Sequence, residues 1–126
     1  MQDLPTSEEI VGVVSEFLRE HVLPQLEGRT RFHALVAANA LDIVHRELET
    51  APAANAAERE RLAKLLGHDG PLDELNAKLC ELLASGEMGL ETPGLKEHLW
   101  TSTLAKVAID QPKYSAYRKA VKEGRT

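Results

Sequence analysis

Apolar residues in this chain recur three and four positions apart along most of its length, and nowhere do they alternate steadily with polar ones. That spacing follows the 3.6-residue turn of an α-helix, and the lack of period-two runs of Val, Ile and Thr argues against strands. A first helix is expected over Ser7–Leu23, with Thr6 and Glu9 in a capping-box pattern at its start. Ile10, Val13, Val14, Phe17 and Leu18 fall on one stripe, which predicts a buried face. Pro24 and Gly28 end or kink it. A second helix is expected over Thr30–Glu49, with Phe32, Leu35, Val36, Asn39, Ile43 and Val44 along one face.

A third helix spans about Pro52–Leu66 and stops at Gly67; its charged residues Glu58, Arg59, Glu60, Arg61 and Lys64 read as a solvated face. The fourth has Pro71 at its first position and ends at Ser85-Gly86, with Leu72, Leu75, Leu79 and Leu82 at the spacing of a packed seam. The fifth begins at Thr92-Pro93 and carries Leu95, Leu99, Trp100, Leu104, Val107 and Ile109. Beyond Pro112 a short last helix places Tyr114, Tyr117 and Val121 on one packing stripe. Short connections between helices imply antiparallel neighbours. The expected fold is therefore all-α: one domain over residues 1–126, an antiparallel bundle of five main helices plus a short C-terminal helix.

Composition narrows the function classes. The 126 residues hold 15 Lys and Arg against 20 Asp and Glu, for a net charge of −5, so a broad nucleic-acid-binding face is not expected. The single cysteine excludes an internal disulfide framework and a Cys-based zinc cage. The start of the chain lacks the basic and apolar regions of a signal peptide, and no run approaches the roughly 18 apolar residues of a membrane span. A cytoplasmic protein without membrane association is expected.

The candidate binding locus is the start of the second helix, where Arg29, Arg31 and His33 gather. A helix N-terminus carries partial positive charge and free N–H groups, so each exposed cation there costs about 0.3–1 kcal/mol. The helix has no acid before Asp42 to offset this. The expectation is an anion-accepting site for a phosphate, a carboxylate or an acidic partner. In the competing reading, carbonyls at the end of the first helix, or Glu20 and Glu27, neutralise both arginines. Asn39 sits within the apolar stripe, where its amide would either hydrogen-bond a ligand or tie the helix to a neighbour. Arg46 lies seven residues on, roughly on the same face, and Asp42 one turn before it is the expected partner.

Other chemistries lack support. Asp42-x-x-His45 is half of a di-metal element, but the chain contains no Glu-x-x-His, so neither a metal nor a cofactor is expected. His68-Asp69 reads as a turn. Cys80, on a leucine-rich helix, reads as a small core residue. The glycines match no phosphate-binding loop. Lys113, Arg118, Lys119, Lys122 and Arg125 interleave with the two tyrosines, but the tyrosine spacing favours packing over single-strand binding.

The segment Glu27-Gly28-Arg29-x-Arg31-Phe32-His33, continuing through Val36-Ala37-Ala38-Asn39 to Ile43-Val44-x-Arg46-Glu47-Leu48, resembles a family of small bacterial helical proteins of unknown function. Leu4-Pro5, Leu23-Pro24 and the closing Lys106-Val107-Ala108-Ile109-x-x-Pro112-x-Tyr114 are similar to that family too. The resemblance implies genes beside an aminoglycoside-phosphotransferase-like kinase and an acyl-CoA dehydrogenase, and hence an accessory role in acyl-CoA or hydroxy-acid catabolism. It implies no catalytic residue. The expected function is a non-catalytic protein that docks on such an enzyme, or on itself as a homodimer, with Arg29, Arg31, His33, Asn39 and Arg46 as binding residues. The alternative is a small enzyme acting on a phosphorylated or CoA-linked substrate, with His33 as acid or base and the arginines as a clamp.

Overall fold

A computed structural model describes residues 3–125, and every regular element among them is helical. Five α-helices follow in order: α1 (Ser7–Phe17), α2 (Gly28–Leu66), α3 (Leu72–Ser85), α4 (Leu95–Asp110) and α5 (Ser115–Lys122). Among the described residues no helix is long and apolar enough to cross a membrane. The chain divides into two compact units, Met1–Ala51 and Pro52–Thr126.

The capping box forms as the sequence predicts. Thr6 Oγ1 accepts from the Glu9 amide at 3.2 Å, and Glu9 Oε2 accepts from the Thr6 amide at 2.7 Å. The end of the first helix differs from expectation. After Phe17 the chain widens into a π-turn over Leu18–Val22 and then tightens into a 3₁₀ turn over Leu23–Gln25. Pro24 brings no amide hydrogen and cannot extend the α ladder. Side chains supply the missing donors: Gln25 Nε2 donates to the His21 carbonyl at 2.7 Å, and Arg31 Nη1 donates to the Leu23 carbonyl.

The helices expected over Thr30–Glu49 and Pro52–Leu66 are one helix, which starts earlier, at Gly28. Pro52 lies inside it. Four alanines follow Pro52 within five residues, and their helix propensity keeps the ladder running past the missing donor. That merger leaves five α-helices in place of the six expected.

The buried face predicted for α1 is not buried. Ile10, Val13, Val14 and Phe17 are exposed, while Ser15 is only 4% exposed. Of the predicted stripe only Leu18, at its edge, is half-buried; the other shielded residues, Val11, Gly12, Ser15 and, just past the helix, Arg19, lie toward the opposite side. Small residues there permit close approach, so α1 turns its Gly12–Ser15 side to α2 and leaves its larger apolar stripe outside. The stripe on the first part of α2 behaves similarly. Phe32, Leu35, Val36 and Val44 are exposed, and Ala38 is fully buried.

The second unit has a conventional core. Leu62, Leu75, Leu79 and Leu95 are buried together, with Leu65, Leu66, Leu72 and Met88 packed against them. Each buried leucine contributes about 1.5–3 kcal/mol. The leucine seam of α3 thus forms where the sequence places it, and Gly86 ends the helix with a φ of +78°. Helix α4 begins later than expected: Thr92 closes the preceding turn, its Oγ1 accepting from the Gly89 amide at 3.1 Å, and Gly94 is the residue before the helix. Cys80 is exposed, not a core residue. On α5 the buried residue is Ala120, whereas Val121, and Tyr114 just before the helix, are exposed. Trp100 instead anchors the end of the chain: its Nε1 donates to the Arg125 carbonyl at 2.6 Å, and the Arg125 guanidinium stacks on its ring.

Candidate functional site

In the first unit a polar seam joins α1 to the first half of α2. Ser15 Oγ lies 2.5 Å from Asp42 Oδ1 and 3.4 Å from the Ala38 carbonyl. The other Asp42 oxygen pairs with Arg19 Nη2, which also donates to Asn39 Oδ1 at 2.8 Å. His45 Nε2 stands 3.8 Å from Glu8 Oε1. Gly12 makes room for that imidazole; a Cβ at position 12 would lie 3.1 Å from His45 Nε2. Gly12, Ser15, Arg19, Asp42 and His45 line one cleft of about 270 Å³ with Glu16 and Glu20.

Burial pushes the Asp42 carboxyl up, but the hydrogen bonds from Ser15 and Arg19, with the charges of Arg19 and Arg46, outweigh it and hold the group below its ordinary value. A carboxylate so stabilised is a weak base toward a serine hydroxyl. The seam therefore fixes the pairing of two helices, the use of buried polar groups best attested elsewhere. Arg46 acts on Asp42 as the sequence spacing suggests, although Arg19, from the other helix, is the direct partner.

The sequence-derived site residues do not converge. Arg31 is used by the chain itself, on the Leu23 carbonyl at the end of the 3₁₀ turn. Arg29 Nε donates to His33 Nε2 at 3.2 Å, and both side chains are exposed. His33 also meets Phe32 edge-on, with ring centroids 5.6 Å apart. Asn39 is exposed, not buried, and its amide oxygen serves Arg19. Arg29 and His33 thus form one pair, Asn39 belongs to the Arg19–Asp42 seam, and Arg31 caps a turn. His33 is not among the residues lining the cleft beside α1.

Elsewhere, a concavity of about 620 Å³ lies along the last turns of α2. Two of its charges pair with each other: Arg59 grips Asp69 in a two-point fork at 3.0 and 2.6 Å, and Asp69 also accepts from the Gly70 amide. His68 and Asp69 lie in the connection between α2 and α3. The charged face expected to be solvated on this part of α2 is not wholly so. Glu58 is 8% exposed and accepts from Asn76 Nδ2 at 3.2 Å, and Arg61 is half-buried with its Nη2 3.3 Å from Ser102 Oγ. His98 on α4 is 3% exposed. Sequence reasoning missed these residues, because a charged run gives no sign of which members a neighbour will cover. Among the described residues no group of three or more His, Cys, Asp or Glu could hold a metal ion.

These features define an all-helical protein in which a polar seam holds one unit and a leucine core holds the other. The chain belongs to the DUF6285 family, a domain of unknown function, whose model matches residues 24–114. The match takes in Asn39, Asp42, Arg61 and His98 and leaves out α1. No curated protein and no solved structure matches the chain.

Proposed function

We propose that the chain is a non-catalytic accessory protein that docks on a partner enzyme through the apolar surface of its first unit. One observation carries this reading: Val13, Phe17 and Phe32 are 65%, 54% and 62% exposed, amid further exposed aliphatic residues on both helices. Apolar patches beyond a few hundred Å² mark interaction surfaces on soluble proteins. An aromatic side chain buries about 150–250 Å² when fully covered, so the exposed parts of Phe17 and Phe32 would bring roughly 170–290 Å² of the roughly 800 Å² that one side of a stable interface needs, and the exposed aliphatic residues add to it. Arg29 and His33, exposed beside Phe32, offer an acidic group of the partner a charged contact at the edge. The family resemblance points to a phosphotransferase-like kinase or an acyl-CoA dehydrogenase as that partner.

The test is co-purification from the native host with the wild type and with the Val13→Glu/Phe17→Glu variant. Loss of one specific enzyme from the variant, with helicity by circular dichroism unchanged, supports docking through this face. An unchanged set of partners overturns it. A wild-type dimer by light scattering that becomes a monomer in the variant assigns the face to a second copy and replaces the enzyme-docking reading.

A further inference from the structure

The second unit carries a cleft that the docking reading does not use. It measures about 300 Å³ and is lined by Arg61 and Lys64 of α2, by Leu65, by Pro93 and Gly94, and by Glu97 and His98 of α4. That size is at the lower end of small-molecule sites. Two of its residues keep buried nitrogens with no hydrogen-bond partner, Arg61 Nε and His98 Nδ1. Buried polar groups in native proteins are nearly always paired, so two unpaired nitrogens on residues that line one cleft point to an absent partner. Among the described residues no carboxylate lies within ion-pair distance of Arg61, and its Nη2 makes a 3.3 Å contact to the Ser102 hydroxyl.

We propose that this cleft binds a small organic carboxylate, with Arg61 and Lys64 holding its charge, His98 contributing a hydrogen bond, and Leu65 and Pro93 covering a short aliphatic body. The charge balance selects the anion. Arg61 and Lys106 act on His98 from one sign and Glu58 from the other, while Lys64 and Glu97 sit on the cleft wall. His98 is held neutral by burial first and by the Arg61 charge second. One positive charge is left uncompensated, which suits a monoanion. A phosphate dianion would bring a second charge close to Glu58 and Glu97. The guanidinium fork matches a carboxylate geometrically, and an imidazole that stays neutral can either donate or accept.

The test is a titration of the full chain with butyrate and, separately, with inorganic phosphate, followed by NMR of the His98 imidazole and by thermal denaturation. Saturable shifts at His98 with millimolar butyrate, and a raised melting temperature, are expected. Lys64→Met, at an exposed position, weakens butyrate about fivefold, and Arg61→Gln weakens it about a hundredfold. Should Arg61→Gln fail to fold, Lys64→Met and Leu65→Asn carry the test alone. Tighter binding of phosphate than of butyrate overturns the carboxylate assignment. Absence of any His98 shift, or an ordered water that satisfies both orphan nitrogens at saturating butyrate, overturns the site.

Discussion

The Ser15 hydroxyl of α1 meets the Asp42 carboxylate of α2 at 2.5 Å, and Arg19 closes the other side of the same carboxylate. This contact decides which side of each helix faces the other, because it forms only when Gly12 and Ser15 point inward. Asp42→Ala is expected to destabilise the protein by about 1–2 kcal/mol; the pair is roughly one-third solvated, which lowers the cost from that of a fully buried ion pair. Urea unfolding of the Ser15→Ala, Asp42→Ala and double variants gives the coupling. Additive losses would show that the two residues do not interact.

The same carboxylate sets an acid limit. Its pKa is lowered below 3.8 in the folded chain, so its contribution is complete above that value and disappears as pH falls through the folded pKa. The urea midpoint of the wild type should fall over that window more steeply than that of Asp42→Asn. Parallel pH profiles would contradict the assignment.

His98 acts in a higher range. Burial, then the Arg61 charge, lowers its pKa from 6.5, so the folded state resists a proton that the unfolded chain accepts. Its stabilisation is present above pH 6.5 and is lost as pH falls from there through the folded value. Thermal midpoints of the wild type should decline over this interval, and His98→Gln should flatten the decline. A wild-type midpoint that is constant from pH 7 down to 5 would refute the shift.

Leu75 is fully buried and Val13 is mostly exposed. Leu75→Ala should cost about 3–5 kcal/mol, whereas Val13→Ala should stay within about 0.5 kcal/mol. Equal effects in urea denaturation would mean that Val13 is covered in solution, as a self-association through α1 would require.

Trp100 is the sole tryptophan, and Arg125 both stacks on it and accepts its N–H through a main-chain carbonyl. Arg125→Ala removes a cation–π contact of about 0.5–1 kcal/mol and should red-shift the fluorescence as the ring meets more water. Deleting the last two residues, which removes the carbonyl as well, should shift it further. An identical spectrum in both variants would rule out the contact.

Local signals were legible in the sequence. Thr6 and Glu9 cap α1 because the motif is complete within four residues, and the α3 leucines reach the core because their spacing specifies a single face. Tertiary choices were not legible. Helix α1 offers two faces, one large and apolar and one built on Gly12 and Ser15; spacing marks the first, yet the partner carboxylate that selects the second lies 27 residues from Ser15. The alanines after Pro52 outweighed the rule that proline stops a helix. Arg31 went to a carbonyl of its own chain, as one of the two readings of that cluster held. Glu58, Arg61 and His98 escaped notice because covering charged side chains depends on which helix arrives over them.

Pro52 has a consequence for how α2 comes apart. It presents no hydrogen to the carbonyl one turn earlier, so the 39-residue helix has a missing rung at the point where the two units divide. Fraying that starts on either side reaches this weakened rung first and stops most readily there. Deuterium uptake should accordingly fall into two separately timed classes, one for the amides before the proline and one for those after it.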